Sequence, residues 1–160
     1  LRAFTKVFGM PGLRLGYLLT ANRRLTDRIR LCMQPWSVSV PAQAAGLAAL
    51  DDKEYLPRAR ALLKEEKAYL SRALCGGLAQ KVYGGAVNFL FFRAGPDLAD
   101  RLLERKILIR ACGDYRNLSG SYFRIGICTH EENRELIRRW KGLYEEEKHY
   151  GENYDTGHDV

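Results

Sequence analysis

Residues 53–75 constrain the fold most, because Tyr55, Ala59, Leu62, Leu63, Tyr69, Leu70, Ala73 and Leu74 recur at helical spacing with Lys64, Glu65 and Lys67 opposite, and Gly76-Gly77 follow. A long amphipathic helix that stops at a diglycine must lay its apolar stripe against a neighbour. The next residues supply one. Asn88-Phe89-Leu90-Phe91-Phe92 reads as a buried strand, residues 96–106 as a short helix, and Ile107-Leu108-Ile109 as a second buried strand. Residues 113–120 form a polar loop, and residues 122–127 a strand with an arginine in its interior. Leu136, Ile137, Trp140, Leu143 and Tyr144 stripe the closing helix, which Thr129 caps and His130-Glu131-Glu132 open. The order helix, strand, helix, strand, strand, helix describes an α+β lobe with helices on one face of a small sheet.

Residues 1–50 differ in character. Gly16-Tyr17-Leu18-Leu19-Thr20-Ala21 reads as a strand, and Leu25, Ile29 and Met33 recur at helical spacing among arginines in a surface helix over 22–33. Gln34-Pro35-Trp36-Ser37 breaks that helix, and the Ala-rich, nearly uncharged residues 41–50 predict a helix buried on most sides. One strand and two helices enclose too little core to stand alone. The expectation is therefore the end of one domain over 1–50, a complete domain over 51–148, and a disordered tail over 149–160. A chain that opens at Leu1, already in the rhythm of a core, is expected to be a fragment.

The net charge is +7. Most of that excess lies early, where Arg2, Lys6, Arg14, Arg23, Arg24, Arg28 and Arg30 face only Asp27 before residue 50. Such a bias suits nucleic acid, a phosphorylated small molecule or an acidic surface, and charge alone does not choose. No run approaches the roughly 18 apolar residues of a membrane span, so no membrane partner is expected. Cys32, Cys75, Cys112 and Cys128 are far apart and form no CxxC pair. They read as reduced thiols buried as small hydrophobes in a cytoplasmic protein. Cys112, Cys128 and His130 lack zinc-ligand spacing, so no metal is expected.

The chemistry concentrates in Ala3-Phe4-Thr5-Lys6-Val7-Phe8-Gly9-Met10-Pro11-Gly12-Leu13-Arg14-Leu15-Gly16-Tyr17. Lys6 lies between apolar neighbours, and either points outward or is desolvated, which favours an amine as nucleophile. Gly9 and Gly12 permit an irregular backbone, and the planar fork of Arg14 suits a phosphate. An amine and a guanidinium joined by a glycine-bent loop suit a phosphate-bearing aldehyde. An apolar turn with a solvated lysine fits the same spacing. Neither GxxxxGK[ST] nor GxGxxG is present. Arg124, inside an apolar strand, must find an anion, either an internal carboxylate or a ligand. Arg110 ends a strand and is a weaker candidate for a substrate anion, with a plain surface role equally open.

The run F-T-K-x-F-G-x-P-G-L-R-x-G-Y resembles the lysine signature of the fold-type I pyridoxal-phosphate enzymes, the class I/II aminotransferase family. The resemblance implies an α/β cofactor domain whose tail end is residues 1–50, followed by the small α+β lobe. It implies that Lys6 carries pyridoxal 5'-phosphate covalently, that Arg14 and Thr5 help hold it, and that Arg124, with Arg110 as a second candidate, binds the substrate carboxylate. The family has Ser or Thr three residues before the lysine, where this chain has Ala3. One charge-assisted hydrogen bond is worth about 1.5–3 kcal/mol, so weaker cofactor affinity is expected.

Gln34-Pro35-Trp36-Ser37, Ile109-Arg110-Ala111-Cys112-Gly113-Asp114-Tyr115 and Tyr122-Phe123-Arg124-Ile125 are similar to the branch holding histidinol-phosphate aminotransferases and threonine-phosphate decarboxylases. The Pro-Trp-Ser and Ile-Arg-x-Cys runs lean to the decarboxylases of cobalamin synthesis. The expected substrate is a small phosphorylated amino acid or amino alcohol, the expected assembly a homodimer without nucleic acid, and the fragment alone is expected to be inactive. A basic domain using helix 22–33 on nucleic acid, or a non-catalytic association module, are the rival readings.

Overall fold

At Gly16 a Cβ would meet the Arg2 carbonyl oxygen at 2.8 Å, so only glycine lets the two chain segments approach this closely. They close as β1 (Arg2–Ala3), followed by the single turn α1 (Phe4–Val7), and β2 (Gly16–Tyr17), antiparallel with Arg2 opposite Tyr17. These details come from a computed structural model that describes the backbone of residues 1–154 and the side chains of residues 1–145. Two helices follow. α2 (Arg23–Cys32) is N-capped by Asn22, whose side chain accepts from the Leu25 amide, and α3 (Val40–Asp51) is capped by Ser39 with Pro41 in its first turn.

Two expectations for this region change. The strand expected over 16–21 is ladder-bonded only at Gly16–Tyr17, because β1 is its sole partner and is itself two residues long. α3 is not buried on most sides: only Ala42 and Gly46 are, and Val40, Leu47 and Leu50 are exposed. Its apolar composition exceeds the surface available to cover it within this chain. Burial also fails for three thiols, since Cys32, Cys75 and Cys128 are exposed and only Cys112 is buried.

The chain divides into two compact units, Leu1–Ala59 and Arg60–Val160, a division inside α4 (Tyr55–Ala73) and later than the change in composition near residue 50. α4 runs into one wide turn over Leu74–Leu78, where Gly77 takes φ 112°, a conformation that glycine adopts without strain. The diglycine stop is thus where it was expected. The sheet then follows as β3 (Lys81–Tyr83), which the sequence reading did not anticipate, and β4 (Phe89–Arg93). After α5 (Leu98–Glu104) come β5 (Arg110–Ala111) and β6 (Tyr122–Gly126), and the strands order β3-β4-β6-β5, all antiparallel. Ile107-Leu108-Ile109 is not the strand. Only Ile109 is buried and Leu108 is exposed, and the edge ladder begins at Arg110. The closing helix α6 (His130–Tyr154) extends past the expected start of the tail at 149, and residues 155–160 of that tail lie outside the described residues.

Strand periodicity sorts the side chains. Leu90, Phe92, Phe123 and Ile125 point to one face and pack with Leu70 and Leu74, Leu98 and Leu102, and Leu136, Ile137, Trp140 and Leu143 in one core. Helices therefore cover one face of the sheet, as the pattern implied. On the other face Phe91 stacks on Tyr122 at 5.6 Å and contacts Tyr83 at 5.1 Å.

Glu66 lies on the buried side of α4, only 3% exposed. It accepts from Asn133 Nδ2 at 2.8 Å and pairs with His130 Nδ1 at 2.9 Å. Asn133 also holds the turn before α6, donating to Cys128 O at 2.9 Å and accepting from the Cys128 amide at 3.2 Å. Thr129 and Glu132 complete a reciprocal cap. The Asn133 hydrogen bond holds the Glu66 carboxyl below its ordinary range despite burial, with His130 adding to the effect. Ionised Glu66 therefore stabilises the fold above the ordinary carboxylate range, and this contribution is lost as pH falls through its lowered folded value. Replacing Asn133 with alanine is expected to cost about 1–3 kcal/mol in urea unfolding at pH 7. The gap from wild type should narrow in acid once Glu66 is protonated.

Candidate functional site

Lys6 is set by its aromatic neighbours. Phe4 and Phe8, one helical turn apart, stack at 4.9 Å, and Phe4 meets Tyr17 edge-on at 6.0 Å while Phe8 stacks on Tyr55 at 5.4 Å. Residues 4 and 8 share one face, and residue 6 points the other way. Phe4 is buried, Thr5 is half-buried, and Lys6 is exposed with no hydrogen-bond or ion-pair partner among the described residues. Of the two placements open for Lys6, the structure shows the outward one.

The Phe4 amide donates to Leu15 O at 3.0 Å, which pins the end of the loop beside the start of α1. Inside it Gly9 takes φ 63° and Arg14 takes φ 53°. An L-residue in this left-handed region is held there against a cost of about 1–2 kcal/mol. The Arg14 guanidinium donates through Nη1 to Pro11 O at 2.9 Å, which leaves its remaining donors available. Leu15 seats against Gly46 of α3, where a Cβ would approach its Cδ2 to 2.5 Å. Amine, hydroxyl and guanidinium are thus carried by one pinned loop. A free primary amine with a guanidinium whose fork is largely unused is a donor set that fits an aldehyde bearing a phosphate. Ala3, the N-cap of α1, offers no side-chain hydrogen bond, so the departure seen in the sequence is also a missing helix cap.

The other two predicted residues meet across β5 and β6, where Arg110 and Arg124 are directly opposite. Arg124 finds no carboxylate among the described residues. Its guanidinium lies 4.7 Å from the centre of the Phe89 ring. Phe89 is opposite Gly126, which has no side chain to compete for that space. Arg124 is also half-buried rather than enclosed, because it projects from the uncovered face. Arg110 does have a partner: its Nη2 donates to Asp114 Oδ2 at 2.5 Å, and its guanidinium sits 5.6 Å from the Tyr115 ring centre. Hydrogen bonding to Asp114 holds it even more firmly protonated. Asp114, Tyr115 and Phe89 were not recognised in sequence as site residues. They meet the arginines through a turn and a diagonal strand pair, and spacing does not show either. Beneath them, burial pushes the Cys112 thiol up, with both guanidiniums opposing weakly.

The family model for aminotransferase class I and II matches residues 1–139. The chain belongs to this family. It is 39% identical over 140 residues to a threonine-phosphate decarboxylase of Salmonella typhimurium, covering 86% of this chain and 38% of that protein. It is 35% identical over 144 residues to a histidinol-phosphate aminotransferase of Methanosarcina mazei, covering 88% of this chain and 38% of that protein. The crystal structure of a histidinol-phosphate aminotransferase from Clostridium acetobutylicum superposes with a TM-score of 0.83 at 31% identity, covering 89% of this chain and 44% of that one. The fold is that of the fold-type I aminotransferases, and the chain spans about two fifths of the length of the curated relatives it matches.

Gly16→Ala places a methyl carbon 2.8 Å from Arg2 O, and is expected to loosen this aminotransferase-family loop. Amide hydrogen exchange at Phe4 should accelerate, whereas Gly12→Ala, with nothing within 4 Å, should leave it unchanged.

Proposed function

We propose that this chain contributes the cofactor lysine and the substrate-carboxylate arginine of a pyridoxal-phosphate enzyme acting on a phosphorylated amino acid or amino alcohol. The observation that carries the reading is the pinned loop that presents together the Lys6 amine, unpartnered among the described residues, and the Arg14 fork, bonded there only to Pro11 O. Because the chain spans about two fifths of its relatives' length, the activity is proposed for a polypeptide that supplies the remainder, and this chain alone is expected to be inactive.

Pyridoxal phosphate supplies an electron sink for charge developing at the substrate α-carbon. Lys6 would bind it covalently, Arg14 would grip its phosphate bidentately, and the Thr5 hydroxyl would add a donor. The Lys6 amine is also the group that would take or return a proton at the substrate α-carbon. Arg124, stacked on Phe89 and paired with no carboxylate among the described residues, would hold the substrate carboxylate. Arg110 stands beside it.

A threonine-phosphate decarboxylase is the first reading, supported by the Pro35-Trp36-Ser37 and Ile109-Arg110-Ala111-Cys112 runs and by the relative of that name. A histidinol-phosphate aminotransferase is the second, favoured by the structural likeness to an enzyme so named. A cytoplasmic homodimer belongs to both, and the exposed apolar residues Leu31, Trp36, Val40 and Leu47 offer surface for association.

Borohydride reduction of the full-length protein with pyridoxal phosphate, followed by peptide mapping, is expected to label Lys6. An unlabelled Lys6 there would sink the reading. Arg14→Gln should weaken cofactor binding by about 1.5–3 kcal/mol, roughly tenfold to a hundredfold in Kd by equilibrium dialysis. Release of CO₂ from phosphothreonine, against consumption of a 2-oxo acid acceptor with histidinol phosphate, separates the two substrate readings.

A further inference from the structure

Two cations face each other across β5 and β6, and among the described residues only one has a counter-ion. Arg110 and Arg124 are directly opposite, which puts their Cβ atoms on one face within about 4.5–5.5 Å. Like charges so placed repel unless neutralised. Asp114 neutralises Arg110 from 2.5 Å, and the Tyr115 ring covers the same guanidinium. Arg124 rests only on the negative face of the Phe89 ring, which attracts it without cancelling its charge. No other carboxylate is bonded to either arginine among the described residues.

We infer that Asp114 is a specificity-determining residue: it cancels the charge of Arg110, so the Arg110–Arg124 pair presents one net positive charge and selects a monoanionic carboxylate over a dianionic phosphate. The inference rests on the proposed role of Arg124 toward a substrate carboxylate. It answers a problem peculiar to a phosphorylated amino acid, the first of the two substrate readings, which carries both kinds of anion. Two uncompensated guanidiniums side by side would suit the dianion and invite the substrate to bind reversed. With Asp114 in place, the phosphate gains no second cation here. Arg110 then acts as a positioning residue. Committed to Asp114 and Tyr115, it limits what can approach Arg124 without being the primary ligand itself.

Titration of the side-chain Nε–Hε resonances of Arg110 and Arg124 in this chain, with acetate as monoanion and sulfate as dianion, tests this without any cofactor. In the wild type the Arg124 resonance should shift saturably with acetate, and sulfate should bind no more tightly. In Asp114→Asn the ratio of sulfate to acetate affinity should rise about tenfold, the effect of one unmasked unit charge at a part-exposed site. Asp114→Glu, which keeps the charge, should restore the wild-type ratio, a rescue that a purely structural role for Asp114 does not predict. Arg110→Gln should weaken both anions, and sulfate the more. An unchanged ratio in Asp114→Asn, or a resonance of Arg124 that neither anion shifts saturably, would overturn the inference. Labelling of Lys6 is read separately, so charge selection without labelling defeats the proposed function alone, and labelling without charge selection defeats this inference alone.

Discussion

The register between β4 and β6 governs the second unit. Because side chains alternate, a slip of one residue would send Arg124 into the core among Leu70, Phe92 and Trp140 and expel Phe123 to solvent. The cost of an unpaired guanidinium in that core and the burial lost by Phe123 both oppose such a slip. One pairing, Phe91 opposite Arg124, thus builds the hydrophobic layer and the chemical face at once. β5 adds Arg110 to that face, and the turn that follows returns Asp114 to it.

The first unit relies on a smaller device with the same logic. Its core is too slight to bury a long helix, and α3 shows the result in its exposed Val40, Leu47 and Leu50. What it does bury is chosen well. Phe4 and Phe8 take the inner face of a single helical turn, and Gly16 lets the hairpin close behind them. Lys6 is thereby turned outward by packing, without a hydrogen-bond or ion-pair partner among the described residues.

Much of this was legible in the sequence, and the failures share a cause. Helices α2, α4 and α6 were readable because each carries a periodic stripe, with Gly76-Gly77 and Thr129 marking a stop and a cap for the latter two. The strands β4 and β6 were readable as apolar runs. β1, β3 and β5 are two or three residues long, and a strand that short is made by its partner. The Glu66–His130–Asn133 cluster was also missed. Glu66 lies beside the exposed Glu65, and the partners that satisfy its buried carboxylate, His130 and Asn133, are 64 and 67 positions away.

The sequence by itself determined which residue types can do chemistry here and how the chain is punctuated, since amines, guanidiniums, glycines and apolar periods are local properties. It therefore pointed to Lys6, Arg14, Arg110 and Arg124 and to the family to which the chain belongs. Only the tertiary structure decided which of those charges are already spent. Arg110 is committed to Asp114, and Arg14 partly to Pro11, whereas Arg124 and Lys6 pair with no carboxylate or carbonyl among the described residues. Ion pairing and ring stacking are contacts in space, set by strand register and loop closure, and no spacing along the chain encodes them.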